Sequence, residues 1–86
     1  MIAYNKNMTN HDIQPFLAEL GVKVRSARRA AGMTLGELAL VSGASVAPLH
    51  RMEVGKGEPR LSTVLAALRA LGLELTVVAK ASLDHE

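Results

Sequence analysis

The sequence contains no cysteine, and only two of its 86 residues, Tyr4 and Phe16, are aromatic. The absence of cysteine excludes disulfide bonds, zinc sites with thiolate ligands and cysteine nucleophiles. So few aromatic side chains exclude stacking on bases or sugars as the main mode of recognition. Stability must therefore come from packing within the chain or against a second copy of it.

Long apolar runs are also missing. No uninterrupted apolar stretch approaches the roughly 20 residues that span a bilayer. The first ten residues are polar, unlike the basic and then apolar start of a secretion signal. A chain of 86 residues can bury only one small core, so we expect a single domain in the cytoplasm, with no membrane partner.

The net charge is only +2, but the basic residues are concentrated in the middle of the chain. Seven basic and three acidic residues lie between Lys23 and Arg60, so this segment carries +4, whereas the flanking segments together carry −2. A basic middle with mildly acidic ends indicates, weakly, a polyanionic partner.

Residues for catalysis or metal binding are not clustered. His50 has no second histidine or carboxylate at ligand spacing, and His11 and His85 fall in a predicted arm and tail, so exposed positions are favoured over a metal site. The stretch Gly55-Lys56-Gly57 lacks the spacing of a phosphate-binding loop, and no Gly-x-Ser-x-Gly sequence is present. We therefore expect neither enzymatic activity nor a cofactor or metal.

Apolar periodicity predicts four helices. The first begins near Pro15, and the second has the start signature of a capping box, Thr34 with Glu37. The third is predicted to be capped by Ser45 and the fourth to begin near Leu61. A glycine ends each helix: Gly32, Gly43, Gly55 and Gly72. The predicted divisions are a flexible arm over 1–12, a helical domain over 13–72, a dimerisation strand over 73–80 and a tail over 81–86.

The predicted strand follows the last helix directly. Its alternating pattern places four apolar residues on one face: Leu73, Leu75, Val77 and Ala79. No other segment has the pattern of a strand, and an isolated strand leaves its backbone groups unpaired. We therefore expect the strand to pair with its own copy, as an antiparallel ribbon across the twofold axis of a homodimer.

Only about three residues, Ser42-Gly43-Ala44, separate the second and third predicted helices. This spacing is typical of a helix-turn-helix, in which the first helix lies across the phosphates and the second enters the major groove. An ordinary helical hairpin has the same spacing. From spacing alone, both interpretations remain open.

The residue types favour the first interpretation. Many positions fit one pattern without a gap: Leu20-Gly21, Arg28, Gly32, Thr34, Glu37-Leu38-Ala39, Gly43, Ser45, Arg51-Met52-Glu53, Gly55-Lys56, Pro59, Leu61 and Leu71-Gly72. Over about residues 16–72 the chain resembles the lambda-repressor-like helix-turn-helix family of the Cro/XRE type. Less specifically, the final strand resembles the C-terminal segment of HipB-like antitoxins, whose two chains pair there.

The resemblance implies a mainly α fold, a four-helix domain with a C-terminal strand that pairs across a homodimer. It also implies a sequence-specific repressor that binds a palindromic operator in double-stranded DNA. Such a repressor could be the antitoxin of a toxin–antitoxin pair, with a toxin or kinase as protein partner. The residues expected to bind DNA are Thr34, Ser45, Val46, Ala47, His50, Arg51, Lys56 and Arg60. Arg28 and Glu53 are expected to form a structural, partly buried ion pair between helices one and three.

The chain also departs from the family pattern. Leu35 stands where relatives commonly place a glutamine that binds phosphate, and Val46, Ala47 and Pro48 cannot hydrogen-bond a base edge through their side chains. Apolar contact with thymine methyl groups remains open to them, and Arg51, with His50, is left as a polar reader. Alternatively, Leu35 and Leu40 are exposed beside Val46 and Ala47, and the domain is a protein-interaction module that binds DNA weakly.

Overall fold

The computed structural model describes residues 2–4 and 13–79 of the chain. Strand β1 (Ile2–Tyr4) is followed by helices α1 (Ile13–Ala30), α2 (Leu35–Ser42), α3 (Val46–Glu53) and α4 (Leu61–Ala70), and then by strand β2 (Leu75–Val77). The four predicted helices and the mainly α fold are confirmed. Positions 5–12 and the predicted tail over 81–86 lie outside the described residues.

Helix α2 begins with the predicted capping box. The backbone N–H of Glu37 donates to Thr34 Oγ1 at 3.1 Å, and the backbone N–H of Thr34 donates to Glu37 Oε1 at 2.8 Å. The helix ends at Gly43, whose φ of 81° lies in the left-handed region that favours glycine. These local signals fix both ends of α2, and thereby the start of the turn to α3.

Ser45 occupies the predicted N-cap position of α3, but its side chain makes no capping hydrogen bond. A capping hydroxyl accepts from the backbone N–H of the second or third helical residue. The third residue of α3 is Pro48, which has no N–H. The prediction of a side-chain cap is therefore wrong, and the hydroxyl of Ser45 is not engaged in one.

The core lies between the four helices, each of which contributes to it. Among the side chains that the structure describes over 13–79, nine apolar ones are buried: Leu17, Leu20, Val24, Leu38, Leu49, Met52, Val64, Ala67 and Leu68. Helix α4 buries only some of its apolar residues, because Leu61 and Leu65 are exposed. These two leucines lie one turn apart, so α4 keeps an exposed apolar row outside the core.

Helix α2 faces the core with only some of its apolar residues. Leu35 packs against the core beside Leu38 and Ala39, whereas Val41 is exposed. At about 100° per residue, Val41 lies on the far side of Leu38 from Ala39, which turns it away from the core. The predicted exposure of Leu35 is therefore wrong. Leu40 is 83% exposed, as predicted.

Helices α1 and α3 pack through backbone atoms. A Cβ atom added at Gly21 would lie 2.8 Å from the carbonyl oxygen of Glu53, and closer still to that of Met52. Where α3 ends, a Cβ added at Gly55 would lie 3.4 Å from the Cα atom of Ala18. Gly21 therefore marks a close packing contact, which brings α1 directly against the end of α3.

Strands β1 and β2 form a parallel two-stranded sheet, in the register Ile2↔Leu75, Ala3↔Thr76 and Tyr4↔Val77. The prediction that no other segment is a strand is therefore wrong, as is a loose arm at positions 2–4. A three-residue strand is too short to show periodicity. Parallel pairing needs a long crossover, which the helical domain supplies. Backbone groups on one edge of β2 are therefore hydrogen-bonded within the chain, without a second copy.

Strand β2 is also shorter than the predicted span of 73–80. On the predicted apolar face, Leu73 and Leu75 pack against the core, whereas Val77 is 79% exposed and Ala79 is exposed as well. Within the described residues, β1 pairs with one edge of β2 and no strand pairs with the other. Dimerisation through β2 stays a prediction.

Candidate nucleic-acid interface

Helix α3 has one buried and one exposed side. Leu49, Met52 and Glu53 are buried against the other helices. Ala47, His50 and Arg51 project from the opposite side and are exposed, with Val46 at its margin. The structure thus places four of the predicted DNA-binding residues on the outer surface of the helix that is predicted to enter the major groove.

A groove with a volume of about 450 Å³ lies beside this surface, between the α2–α3 turn, α3 and the start of α4. Three cationic side chains line it, those of Arg51, Lys56 and Arg60, and Glu58 is the acidic residue among them. Three hydroxyl-bearing residues also line it: Ser45, Ser62 and Thr63. The arrangement combines positive charge and hydrogen-bond donors, which is the chemistry that binds phosphate oxygens.

The groove brings together four of the predicted DNA-binding residues: Ser45, Arg51, Lys56 and Arg60. It also includes Ser62 and Thr63, which are not among the predicted residues. Both lie in the first turn of α4, where the backbone N–H groups have no intrahelical partner. The signal in the sequence was available: two hydroxyl residues directly after the predicted start at Leu61 and downstream of Pro59.

The predicted residue Thr34 lies apart from this groove, at the start of α2. Its Oγ1 atom accepts the capping bond from Glu37, and the hydroxyl hydrogen remains able to donate. Leu35, which follows it, turns inward to the core. At this end of α2, therefore, backbone N–H groups and the Thr34 hydroxyl are the groups that could contact a phosphate.

The expected pair of Arg28 and Glu53 is present in bidentate geometry. The guanidinium Nε of Arg28 donates to Glu53 Oε2 at 2.7 Å, and Nη2 of Arg28 donates to Glu53 Oε1 at 2.9 Å. A third hydrogen bond, from Arg28 Nη1, reaches the carbonyl oxygen of Met33 at 2.8 Å. The pair thus links α1 to α3 and to the segment before α2.

Both members of the pair are largely withdrawn from water, since only 11% of the Arg28 side chain and 4% of the Glu53 side chain are exposed. The hydrogen bonds that Arg28 donates to Glu53 raise the pKa of Arg28. The attraction of the carboxylate adds to this rise, and burial opposes it. Arg28 therefore remains charged. The Arg28–Glu53 pair faces inward, so it holds the helices together and does not contribute to the exposed surface of α3.

No group of three His, Cys, Asp or Glu side chains is placed to hold a metal ion in the described ranges 2–4 and 13–79. None of the helices that the structure describes has the length and apolar character needed to cross a membrane.

A family model described as a helix-turn-helix domain matches residues 19–81. The chain belongs to this helix-turn-helix family, of the Cro/XRE-like type. The match spans all of α2, α3 and α4, and it supports a DNA-binding regulator as the general class of function. A search of curated proteins found no match.

Proposed function

We propose that this protein is a sequence-specific repressor that binds a palindromic operator as a homodimer. The observation that supports this best is the position of the basic groove. Arg51, Lys56 and Arg60 line it directly beside the exposed side of α3. A helix that enters the major groove needs cationic and hydroxyl groups at its flank, where the phosphate backbone passes.

In the proposed complex, the outer surface of α3 contacts base edges. Arg51 is its one long donor, and it can bind guanine O6 and N7 through two hydrogen bonds. Lys56 and Arg60 neutralise phosphates, and Ser45, Ser62 and Thr63 donate hydrogen bonds to them. The start of α2, at Thr34, lies on another phosphate. Sequence is read by α3 alone, and the other groups position it.

Replacing Arg51 with alanine should lower affinity for a specific duplex by about 1–3 kcal/mol, because the contact to guanine is lost. The duplex is obtained by selection with the full-length protein from a randomised library. Lys56→Ala should instead weaken specific and random duplexes alike and reduce the slope of log affinity against log salt by about one. Lys23→Ala, at an exposed lysine on α1 outside the groove, is the matched control and should change neither quantity.

If Arg51→Ala bound the specific duplex and random duplexes with the same affinities as wild type, Arg51 would not face bases.

The alternative function, a protein-interaction module, has its own support in the exposed apolar residues Leu40, Val41 and Val46. Salt separates the two functions. Binding through several phosphates weakens steeply as salt rises, whereas an apolar protein contact does not. A complex insensitive to salt would favour the alternative.

The proposed dimer surface is a second groove, of about 410 Å³, between α4 and the start of β2. Leu65, Leu73 and Leu75 line it together with Arg69 and Glu74. Neither charged side chain forms an ion pair with any residue that the structure describes. A second copy placed by a twofold axis would set Arg69 opposite the partner's Glu74, cover the leucines and reach the open edge of β2. Two α3 helices could then meet successive major grooves about 34 Å apart.

The proposed dimer surface predicts how two charge-reversed variants associate, separately and when they are mixed. Arg69→Glu and Glu74→Arg should each weaken the dimer, because each places like charges opposite one another. An equimolar mixture of the two variants should form a heterodimer, because both contacts then join opposite charges. Sedimentation of each variant and of the mixture measures this. A contact within one chain could not be restored by mixing, so two variants that stay monomeric together would place the interface elsewhere. Glu58→Arg, outside this groove, is the control.

We further propose that the repressor is an antitoxin that binds a toxin or kinase and represses its own operon. Support for this finer role comes from the C-terminal strand, which resembles that of HipB-like antitoxins. The observation that tests it is the gene directly beside this one. A toxin-like or kinase-like neighbour whose product co-purifies with this chain would support the role, and an unrelated neighbour with no co-purification would count against it.

A further inference from the structure

The exposed side of α3 carries two rows of side chains, each one helical turn long. Val46 lies next to His50, and Ala47 lies next to Arg51, because residues four apart are neighbours on a helix. In both rows the first residue is apolar and the second carries donors. Val46 is 47% exposed, and Ala47 is exposed. The first turn of α3 therefore offers methyl groups and no polar side-chain atom to whatever it contacts.

We propose that Val46 and Ala47 form a methyl-reading surface for the C5-methyl groups of pyrimidines. This inference rests on the proposed function and narrows the class of operator. Ala47 and Arg51 are four residues apart, so they lie about 6 Å apart along α3, whereas stacked base pairs lie about 3.4 Å apart. Each half-site is thus expected to carry a thymine within about two base pairs of the guanine bound by Arg51.

The chemistry of the major groove leads to this assignment. Every base edge there presents donors or acceptors, and the thymine methyl is its apolar feature. Placing Val46 and Ala47 against polar base edges would leave those edges without hydrogen bonds, which is unfavourable. The polar group at this end of α3, the hydroxyl of Ser45, lines the basic groove and not the outer row. A methyl group is therefore the feature of a base that this turn can favour.

The charge around the two residues favours DNA over an apolar protein as the occupant. Arg51 follows Ala47 on the same row, and Lys56 and Arg60 line the adjacent groove with it. An apolar partner would have to bury or leave unpaired these cations, whereas a nucleic acid supplies phosphates to them and methyl groups to Val46 and Ala47. DNA thus provides contacts for both the small apolar surface and the cations around it.

The test uses full-length protein and a duplex selected from a randomised library. Each thymine of that duplex is replaced in turn by uracil, which keeps the base pair and its hydrogen-bonding groups and removes only the methyl. At one or more positions in each half-site, uracil should lower affinity about three- to fourfold, as expected for one buried methyl. In the double variant Val46→Ser with Ala47→Ser, the ratio of thymine to uracil affinities should approach one at those positions. Fluorescence anisotropy measures each affinity.

Leu40→Ser is the matched control, because Leu40 is an exposed apolar residue on α2 and should leave the thymine-to-uracil ratio unchanged. Thermal unfolding of both variants confirms that each is folded. If a specific duplex is bound with steep salt dependence, but no replacement of thymine by uracil lowers the affinity, the methyl-reading surface is overturned and the proposed function stands. An unchanged ratio in the double variant also overturns it. Failure to select any duplex, with binding insensitive to salt, overturns both.

Discussion

Glu53→Ala should lower the free energy of unfolding by about 3–5 kcal/mol, the loss typical of a buried ion pair from which one partner is removed. The Arg28 side chain is only 11% exposed, so its guanidinium would stay in the interior without its carboxylate. The hydrogen bond from Arg28 to the carbonyl oxygen of Met33 would remain, but a neutral acceptor does not neutralise the charge. Urea unfolding, followed by circular dichroism, measures the change.

A surface ion pair in the same protein provides the control. Glu19 and Lys23 lie 4.0 Å apart on α1, and both side chains are well exposed. Glu19→Ala should change stability by no more than about 0.5 kcal/mol. Specific DNA binding by Glu53→Ala, measured where the variant is fully folded, should be retained, because Glu53 faces inward. Unchanged stability combined with lost binding would contradict the structural role assigned to the pair.

Gly21→Ala should destabilise the domain by about 3 kcal/mol, at the upper end of the usual range for overpacking. The added Cβ would meet the backbone carbonyl oxygens of Met52 and Glu53, the latter at 2.8 Å. Backbone atoms cannot rotate away as a side chain can, so α1 would have to move off the end of α3. In addition, that movement would lengthen the bonds from Arg28 to Glu53. Thermal and urea unfolding should both record the loss.

Gly36→Ala is the matched control for this substitution. Gly36 also lies in a helix, but a Cβ there would meet only Thr34 Oγ1, at 3.9 Å. Because alanine favours a helix over glycine, this variant should be as stable as wild type or up to about 1 kcal/mol more stable. If Gly21→Ala were equally stable, α1 and α3 would not be packed through their backbones.

The parts of the fold that local chemistry determines could be predicted from the sequence. The capping box of Thr34 and Glu37 and the left-handed glycine at position 43 each act within a few residues of the chain. Gly21 also gave a usable signal, since a glycine inside an amphipathic helix lowers its helix propensity and so indicates another purpose. The ion pair joins residues 25 positions apart, and only the family resemblance indicated it.

Other features depend on packing or on distant parts of the chain, and these predictions were wrong. A helix of eight residues has too few apolar positions to define its buried side, so the predicted exposure of Leu35 is wrong. Ser45 makes no capping hydrogen bond, and Pro48 three residues later removes one of the two N–H groups that such a cap can use. The partner of β2 lies at the other end of the chain, where periodicity gives no information.

The pairing of β1 with β2 has a consequence for the synthesis of the protein. The two strands that meet in the sheet are separated by the whole helical domain, so β1 is made long before β2 exists. At roughly 5–20 residues per second, translation of the intervening segment lasts several seconds. During this interval the helices can form local contacts, whereas the first strand has no partner in its own chain. The sheet is therefore the last part of the nascent protein that can assemble.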